Sequence, residues 1–434
     1  MTYKEAMEKI DSLLVFGSRP GLETISKLLK LMGNPQDKLK YVHIAGTNGK
    51  GSVSNMTASV LTKAGYKTGL FTSPHITGFG ERMQINNERI SEQAVVNEVE
   101  RFFPLVEQMR ENGDIITEFE FVTAIAFHWF CEQKCDVVVL ETGLGGRCDS
   151  TNVIKTPLCS VITSISLDHT GVLGDTLEKI ADEKCGIIKK GGSTVFAFQE
   201  DEVNNKVLSV AAERDNILYN PINLPVVSSD INGSVVDYGG LTIKLPLIGE
   251  HQISNLALVL CTVEALRKRG MSIPDTAVMD GIASVRMPAR FELISQKPLF
   301  ILDGAHNPGG LKALSNAIDK YLDGKKIICI MGMLRDKDCE HSLEFLKGKL
   351  FKLITTTVPD SPRRQSALEL KQTAGRFFED ISAFEDPFRA VDSALELAKN
   401  TENSAVLVCG SLYLAADIRL YLTEKLGLGK RPLV

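Results

Sequence analysis

The fold is decided by the stretch Val42-His43-Ile44-Ala45-Gly46-Thr47-Asn48-Gly49-Lys50-Gly51-Ser52-Val53. An apolar strand ends there in a glycine-rich turn with one lysine, and a segment compatible with a helix follows. Backbone N–H groups and a helix N-terminus then point at one small volume that can hold a phosphate. Lys50 can reach a terminal phosphate, and the Ser52 hydroxyl can approach Mg²⁺. The pattern departs from the usual P-loop, because Gly51 separates Lys50 from Ser52 and Ile44 replaces the first glycine. The ordinary alternative is a strand–helix turn whose lysine lies in solvent.

The composition limits the classes of protein to consider. The 434 residues are too many for one ordinary hydrophobic core, so we expect two domains. A net charge of −5 argues against nucleic acid as a partner. No apolar leader opens the sequence, and no apolar run approaches the roughly 20 residues that cross a bilayer. Nine cysteines without a CxxC pair indicate free thiols rather than disulfides or a zinc site. The sequence therefore predicts a cytoplasmic globular protein with neither a nucleic acid nor a membrane as partner.

Strand-like and helical segments alternate along two parts of the chain. The candidate strands are 41–45, 67–71, 137–140, 158–164 and 194–197 in the first part, and 299–302, 327–331, 353–357 and 405–409 in the second. Continuous apolar runs of this kind suit parallel sheets covered on both faces. We therefore predict an α/β protein with an N-terminal P-loop-type domain over 1–290, mostly parallel in its sheet, a linker over 291–298 and a C-terminal Rossmann-like α/β domain over 299–434. The irregular stretch 216–247 is predicted to be a small β-rich, antiparallel insertion in the first domain.

Polar residues follow several predicted strands, at the edge where open parallel sheets bind ligands. Glu141 follows strand 137–140, where its carboxylate can hold Mg²⁺, cap a helix or pair with a cation. Asp168 and His169 follow strand 158–164, and a neutral imidazole there can ligate a metal, orient a phosphate or be a hydrogen-bonded structural residue. Lys184 follows two acidic residues on a predicted helix, and by itself it indicates only a solvated ion pair.

The second part of the chain shows the same arrangement. Asp303 and His306 follow strand 299–302, and Pro308 suits the first turn of the next helix. Asp303 can accept a hydrogen bond from a ribose or hold a cation, and His306 can meet a phosphate, although an Asp/Gly turn would show the same residues. Ser411 closes the last strand in a Gly-Ser turn that lets a ligand approach backbone N–H groups. A plain turn between strand and helix is the simpler interpretation of that last segment.

Taken together and in this order, these segments resemble the folylpolyglutamate synthase/dihydrofolate synthase family of ATP-dependent amide ligases, which is related to the Mur ligases. The matching runs span nearly the whole chain: HIAGTNGKGSV (43–53), FTSPHI (71–76), ERI (88–90), ETGLGGRCDSTN (141–152), SLDHTGVLG (166–174), EKCGIIK (183–189), GEHQISN (249–255), ILDGAHNP (301–308) and GSLYLAADIR (410–419). Most of these runs are weak alone, and jointly they are highly specific.

The resemblance implies a reaction and its cofactors. ATP would phosphorylate a terminal carboxylate of the substrate to an acyl phosphate, which the amino group of L-glutamate attacks. Phosphate then leaves, and the products are an amide and ADP. Carboxylate and ATP are both anionic, so cations must offset their repulsion. ATP and Mg²⁺ are therefore the implied cofactors, with K⁺ as a further candidate cation, and the family suggests a monomer.

The resemblance also assigns roles to residues of this chain. ATP would be bound by the loop residues Gly46, Thr47, Asn48, Gly49, Lys50, Gly51 and Ser52, and across a domain cleft by Asn255, Arg290, Asp303 and His306. The Mg²⁺ ligands would be Glu141, His169 and one of two serines, Ser52 or Ser73. Lys184 matches a lysine that is carbamylated in the family, which would make it an anion for a second metal site.

Catalysis is assigned to Lys50, Glu141, His169, Lys184, Arg290 and His306. Substrate binding is assigned to Ser73, Pro74, His75, Ser411 and Tyr413, with further pterin contacts in 16–22.

One departure from the family pattern concerns Ala289. The family often has a Pro-Gly-Arg turn there, whereas this chain has Pro288-Ala289-Arg290. Alanine tolerates a positive φ less well than glycine. The role of Arg290 is expected to survive, and the backbone around it is expected to differ.

Two other functions compete with this interpretation. A Mur ligase carries a UDP-binding domain before its P-loop, whereas only two short helices, at about 3–14 and 21–32, fit before Gly46. A nucleotide-dependent switch would use the P-loop alone and would leave the DGAHNP and GSLYL segments unexplained. Within the favoured family, the acceptor stays open: dihydropteroate, a reduced folate or both fit this sequence.

Overall fold

The computed structural model describes residues 1–17, 19, 21–359, 363–424 and 426–427. These residues form two compact units. Unit 1 comprises Met1–Ile165, Leu173–Asn223 and Ser254–Ser284. Unit 2 comprises Ser166–Val172, Leu224–Ile253 and Val285–Val434, the last to the extent that it is described.

Unit 1 is built on an eight-stranded sheet with the order β4-β3-β2-β5-β1-β6-β7-β8. Its strands are β1 (Tyr41–Ala45), β2 (Thr68–Phe71), β3 (Met83–Ile85), β4 (Glu88–Arg89), β5 (Val137–Glu141), β6 (Cys159–Ile162), β7 (Ser193–Phe196) and β8 (Ile217–Tyr219). Strands β2, β5, β1, β6, β7 and β8 are parallel, and β3 and β4 extend the sheet as an antiparallel edge. All five residues of β1 are buried, as expected for a central strand covered on both faces.

Unit 2 contains two sheets. The first is a three-stranded antiparallel sheet of β9 (Val226–Asp230), β10 (Gly233–Tyr238) and β11 (Leu241–Leu245). The second has the order β12-β13-β17-β14-β15-β16, with strands β12 (Glu292–Gln296), β13 (Leu299–Leu302), β14 (Lys326–Met331), β15 (Lys352–Thr356), β16 (Ile381–Phe384) and β17 (Ser404–Cys409). Only β12 is antiparallel to its neighbour in this six-stranded sheet of the described chain, and apolar clusters cover both faces.

Two helices precede the first strand, one follows the last strand, and the others lie between strands along the described chain. The helices are α1 (Tyr3–Asp11), α2 (Glu23–Leu31), α3 (Lys50–Lys63), α4 (Glu92–Glu111), α5 (Glu118–Glu132), α6 (Thr170–Leu173), α7 (Leu177–Lys184), α8 (Asp201–Glu213), α9 (Glu250–Lys268), α10 (Asp275–Ser284), α11 (Pro308–Tyr321), α12 (Cys339–Glu344), α13 (Ala367–Ala374), α14 (Pro387–Lys399) and α15 (Leu412–Glu424). Capping boxes at Thr2, Thr117 and Ser366 fix the starts of α1, α5 and α13. Among the described residues, no helix is long and apolar enough to cross a membrane.

The predicted fold class is confirmed. Strands β1 and β13 have the predicted bounds, and the other predicted strands differ by one or two residues at their ends. The observed limits of the units differ from the predicted domain limits, and unit 2 also includes 166–172 and 285–290, which the prediction gave to the first domain. Residues 292–296 of the predicted linker form β12, because this segment finds a hydrogen-bonding partner in β13. The antiparallel sheet β9–β11 belongs to unit 2 rather than to the unit that contains the P-loop.

Candidate active site

The turn between β1 and α3 has the geometry of a phosphate loop. Gly46 and Gly49 have φ of 156° and 88°, so each takes a conformation that side chains disfavour. A Cβ on Gly46 would lie 1.8 Å from Thr163 Oγ1, which makes this position accessible only to glycine. The ammonium of Lys50 donates to the carbonyls of Gly46 (3.1 Å) and Thr47 (3.3 Å), so it lies over the loop rather than in solvent.

Residues directly after strand β6 and a residue of helix α9 hold this loop in place. The backbone N–H of Thr47 donates to the carbonyl of Ser164 at 2.8 Å, and Thr163 Oγ1 donates to the carbonyl of Asn48 at 2.8 Å. Asn255 lies against Gly49, where a Cβ would meet its Oδ1 at 2.4 Å. The structure therefore brings Asn255, predicted from a distant motif, to the phosphate loop within unit 1.

Lys184 also reaches the phosphate loop. It is the last residue of α7, its side chain is buried, and its Nζ donates to the carbonyl of Gly46 at 2.8 Å. The simple interpretation of Lys184 as a solvated ion pair is therefore wrong. Close backbone packing fixes α7 here, because a Cβ on Gly146 would meet the carbonyl of Glu183 at 2.8 Å, and one on Gly186 would meet Arg147 Cα at 2.3 Å.

Glu141 is the last residue of β5 and pairs in register with Ile44 of β1. It is 4% exposed and lies at the sheet edge where the phosphate loop begins. The loop that follows is shaped by Asp149, whose carboxylate accepts from the backbone N–H groups of Leu144 (2.8 Å) and Thr151 (3.0 Å). Burial raises the pKa of Asp149, and these hydrogen bonds oppose the shift. A buried carboxylate and the Ser52 hydroxyl, in the first turn of α3, are hard oxygen donors of the kind that Mg²⁺ prefers.

The segment after β2 contains Ser73, Pro74 and His75. Glu81 holds it, because its carboxylate accepts from the backbone N–H groups of Ile76 (2.6 Å) and Thr77 (2.9 Å). Ser73 and His75 are half-buried and Pro74 is exposed. Burial, and then the charge of Arg82, lower the pKa of His75. Ser18 and Pro20, within the predicted pterin-contact stretch 16–22, lie outside the described residues.

A cluster that the sequence reasoning missed lies beside this segment. The guanidinium of Arg82 is ion-paired with Glu118 and lies 5.8 Å from the ring centre of Phe79 and 5.9 Å from that of Phe119. Phe119 also contacts Gly143, where a Cβ would lie 2.6 Å from its ring. We call Phe79, Arg82 and Phe119 the aromatic–arginine cluster. The sequence gives no local signal for this cluster, because Phe119 comes from a helix far along the chain from Phe79 and Arg82.

In unit 2, Asp303 organises the backbone after β13. Its carboxylate accepts from the backbone N–H groups of Phe291 (2.8 Å) and Ala305 (2.7 Å). Burial raises the pKa of Asp303, and the charge of Arg290 opposes the shift. Ala289 has a φ of 53°, so alanine takes the positive φ that the Pro-Gly-Arg pattern of the family would give to glycine. Gly304 leaves room for Arg290, because a Cβ there would lie 3.1 Å from the guanidinium.

His306 and Ser411 occupy adjacent turns in unit 2. The backbone N–H of Gly410 donates to the carbonyl of Ala305 at 2.7 Å, which joins the two turns. His306 Nδ1 lies 2.7 Å from the carbonyl of Gly304, so Nδ1 carries the proton and Nε2 is left as an acceptor. Burial and the charge of Lys337 lower the pKa of His306 to about 4. Ser411 is buried, and Tyr413 is 43% exposed in the first turn of α15.

Asp168 and His169 contact a residue that the sequence reasoning also missed. The ammonium of Lys337 donates to Asp168 Oδ1 at 2.8 Å and lies 3.5 Å from Nε2 of His169. Burial alone would raise the pKa of Asp168, but Lys337 and His169 together hold it well below its usual range. Lys337 belongs to the charged run Arg335-Asp336-Lys337-Asp338, which is typical of a solvated loop.

Comparison with known families agrees with this geometry. Residues 44–263 match the family described as Mur ligase middle domain, and residues 289–412 match that described as Mur ligase, glutamate ligase domain. The chain is 36% identical to a dihydrofolate synthase/folylpolyglutamate synthase of Bacillus subtilis, over 96% of this chain and 98% of that protein. The chain belongs to the folylpolyglutamate synthase/dihydrofolate synthase family. Members of this family are ATP-dependent ligases, so the chain is an enzyme of that class.

Other relatives extend the agreement to structure. A folylpolyglutamate synthase of Lacticaseibacillus casei is 34% identical over 96% of this chain and 98% of that protein. The Mycobacterium tuberculosis folylpolyglutamate synthase complexed with ADP and AMPPCP superposes with a TM-score of 0.89, at 31% identity over 98% of this chain and 99% of that one. The Escherichia coli FolC in complex with DHPP and ADP superposes with a TM-score of 0.83, at 30% identity over 97% and 98%. ATP use is thus common to the family.

Proposed function

We propose that this chain adds L-glutamate to a folate, with ATP as the energy source and ADP and phosphate as products. The observation that carries the proposal is the phosphate loop of unit 1, where Lys50 and Lys184 both donate to the carbonyl of Gly46 and Glu141 ends the adjacent strand. Cations and a carboxylate at one sheet edge suit a reaction between two anions, because they offset the repulsion between ATP and the substrate carboxylate.

The residues of unit 1 have separate roles in this proposal. Backbone N–H groups of the phosphate loop bind the phosphates of ATP, and Lys50 turns from the loop carbonyls to the terminal phosphate. Glu141, with Ser52 or Ser73, and His169 of unit 2 are the proposed ligands of Mg²⁺, which when bound supplies positive charge to the transferred phosphoryl group. Lys184 is the proposed site of carbamylation, and K⁺ is a further candidate cation.

The aromatic–arginine cluster is the proposed binding site for the pterin ring. A flat heteroaromatic ring can stack on the face of Phe119, and the Arg82 guanidinium can meet its polar edge. Ser73, Pro74 and His75 lie on the segment that leads to this cluster. Dihydropteroate is a second candidate acceptor, favoured by the E. coli FolC in complex with DHPP and by the double name of the B. subtilis relative.

In unit 2, Arg290, Asp303 and His306 are proposed to complete ATP binding, and Ser411 and Tyr413 to bind L-glutamate. Asp303 already accepts from the backbone N–H of Phe291, the residue after Arg290, and its charge acts on the guanidinium, so its proposed contribution is to hold Arg290 in place. The neutral His306 presents Nε2 as a hydrogen-bond acceptor, which suits an O–H or N–H donor of the nucleotide.

The test measures ADP release by the purified protein with Mg-ATP and L-glutamate, with tetrahydrofolate and dihydropteroate added separately and products identified by mass spectrometry. A gain of one glutamyl unit on tetrahydrofolate establishes the proposed function, and a gain on dihydropteroate establishes the second activity. Lys50→Ala should abolish turnover, and Lys63→Ala, an exposed lysine at the other end of α3, should not. ADP release that ignores both acceptors would overturn the proposal and favour a nucleotide switch.

We also infer a cytoplasmic, monomeric enzyme. All nine cysteines, every one of them in the described part of the chain, are free thiols, as a reducing compartment favours. Light scattering after size exclusion tests the monomer, and a mass of twice 47.5 kDa would contradict it.

A further inference from the structure

The segment Ser166–Val172 packs within unit 2, and one ion pair dominates its contacts. Lys337 Nζ donates to Asp168 Oδ1 at 2.8 Å, and the two side chains are 7% and 12% exposed. Screening by water is weak at this exposure, so the pair is of a different kind from the exposed ion pairs elsewhere in unit 2. Burial of a charged ammonium is costly unless a group of opposite charge pairs with it, and Asp168 provides that charge for Lys337.

The Asp168 carboxylate also accepts hydrogen bonds from two further groups. Asn307 Nδ2 donates to Asp168 Oδ2 at 2.9 Å, while Asn307 Oδ1 caps α11 by accepting from the Gly310 N–H at 2.8 Å. The backbone N–H of His169 donates to Asp168 Oδ1 at 2.9 Å. One carboxylate thus joins the start of α11, the loop after β14 and the backbone of His169.

The backbone of His169 shows why this arrangement matters. Its φ is 51°, in the left-handed region that non-glycine residues rarely adopt. Such a conformation persists only where surrounding contacts fix it, and these often lie at functional sites. One such contact is the hydrogen bond from the His169 N–H to Asp168 Oδ1, and Lys337 and Asn307 in turn hold Asp168.

We propose that Lys337 is a positioning residue, which holds Asp168 and through it fixes the strained backbone of His169 as a metal ligand. This inference rests on the proposed function, in which His169 binds Mg²⁺. Asp168 also offsets the charge of Lys337, which reduces the repulsion between this lysine and a cation bound at His169. Groups that orient a metal ligand typically change metal affinity by about 10- to 100-fold when they are removed.

The test is direct binding of Mn²⁺ in place of Mg²⁺, measured by electron paramagnetic resonance in the presence of AMPPCP, so that no turnover is needed. Lys337→Met and Asp168→Asn should raise the dissociation constant for Mn²⁺ at least about tenfold. Lys337→Arg keeps the charge-assisted bond to Asp168 and should retain most of the affinity. Lys349→Met, which removes a more exposed lysine–aspartate pair of the same unit, is the matched control and should bind Mn²⁺ like the unchanged protein.

His169→Ala separates the failure of the inference from that of the proposed function. If His169→Ala leaves Mn²⁺ affinity unchanged, His169 is not a metal ligand, and both the metal assignment and this inference fall. If His169→Ala weakens binding while Lys337→Met and Asp168→Asn do not, only the inference is overturned. Tighter Mn²⁺ binding by Lys337→Met would also overturn it, because the lysine would then act only as a repelling charge. If Lys337→Met does not fold, Lys337→Arg and Asp168→Asn still test the proposal.

Discussion

The ammonium of Lys184 lies 2.8 Å from the carbonyl oxygen of Gly46, at the first glycine of the phosphate loop. This bond joins the end of α7 to a loop nearly 140 residues earlier in the chain, and Lys184 is buried where it forms. Lys50 donates to the same carbonyl from the start of α3. Two lysines thus converge on one backbone oxygen, and a change of charge at Lys184 would act directly on the loop.

We predict that Lys184→Ala lowers turnover at least about 100-fold, because it removes a charged group from the phosphate site. If the working form of Lys184 is a carbamate, added acetate should restore part of the activity, since it returns a carboxylate to the vacated space. If the ammonium is the working form, methylamine should restore activity instead. Lys179→Ala, on the same helix but exposed, is the control and should leave turnover unchanged. Wild-type turnover in Lys184→Ala would contradict the assignment.

Gly49→Ala should reduce ATP affinity at least about tenfold. The new Cβ would lie 2.4 Å from Asn255 Oδ1 at a φ of 88°, so the loop or Asn255 must move. Gly65→Ala is a matched control, because Gly65 has a φ of 91° and open space around its Cβ position. Gly65→Ala should lower the free energy of unfolding by about 1 kcal/mol and leave ATP affinity unchanged. Isothermal titration with AMPPCP measures both variants, and equal losses of affinity would refute the argument.

Many of the candidate site residues could be located in the sequence because a parallel sheet places the carboxyl ends of its strands at one edge. Glu141, the phosphate loop and His169 each follow a buried strand, and for that reason their motifs could be located without knowledge of packing. Lys337 and Arg82 could not be located in this way. They differ from solvated charged residues only because elements distant in the sequence bury them. The sequence predicts a linker where β12 lies, because an edge strand needs only one partner and that partner is not visible in the strand's own residues.

Phe119→Ala should raise the KM for tetrahydrofolate about 10-fold or more and leave the KM for ATP within about twofold. Stacking of a base on an aromatic ring contributes about 1–3 kcal/mol, and a pterin offers a comparable face. The control is Phe198→Ala, an aromatic residue of unit 1 that is 64% exposed. Steady-state kinetics with each substrate varied in turn provides the measurement. An equal rise in both KM values would show that Phe119 supports the fold of the site rather than the acceptor.

The buried His43 should make the stability of unit 1 sensitive to acid. His43 lies in the middle of β1, and burial lowers its pKa from 6.5 to about 3. Between these values the unfolded chain binds a proton that the folded chain does not. The free energy of unfolding must therefore fall as the pH drops from 6.5 towards 3, by at most about 1.4 kcal/mol per pH unit for this one residue.

His43→Gln removes this proton uptake, so the stability of unit 1 should depend less steeply on pH below 6.5. The single tryptophan, Trp129, is buried in unit 1, so its fluorescence during urea unfolding at pH 5, 6 and 7 follows the unit that contains His43. His341→Gln is the control, because that histidine is exposed in unit 2 and its pKa is raised by Asp338. If the slope of stability against pH is the same in His43→Gln as in the unchanged protein, another group must account for the acid sensitivity. His75, whose pKa is also lowered, would then be the next residue to replace.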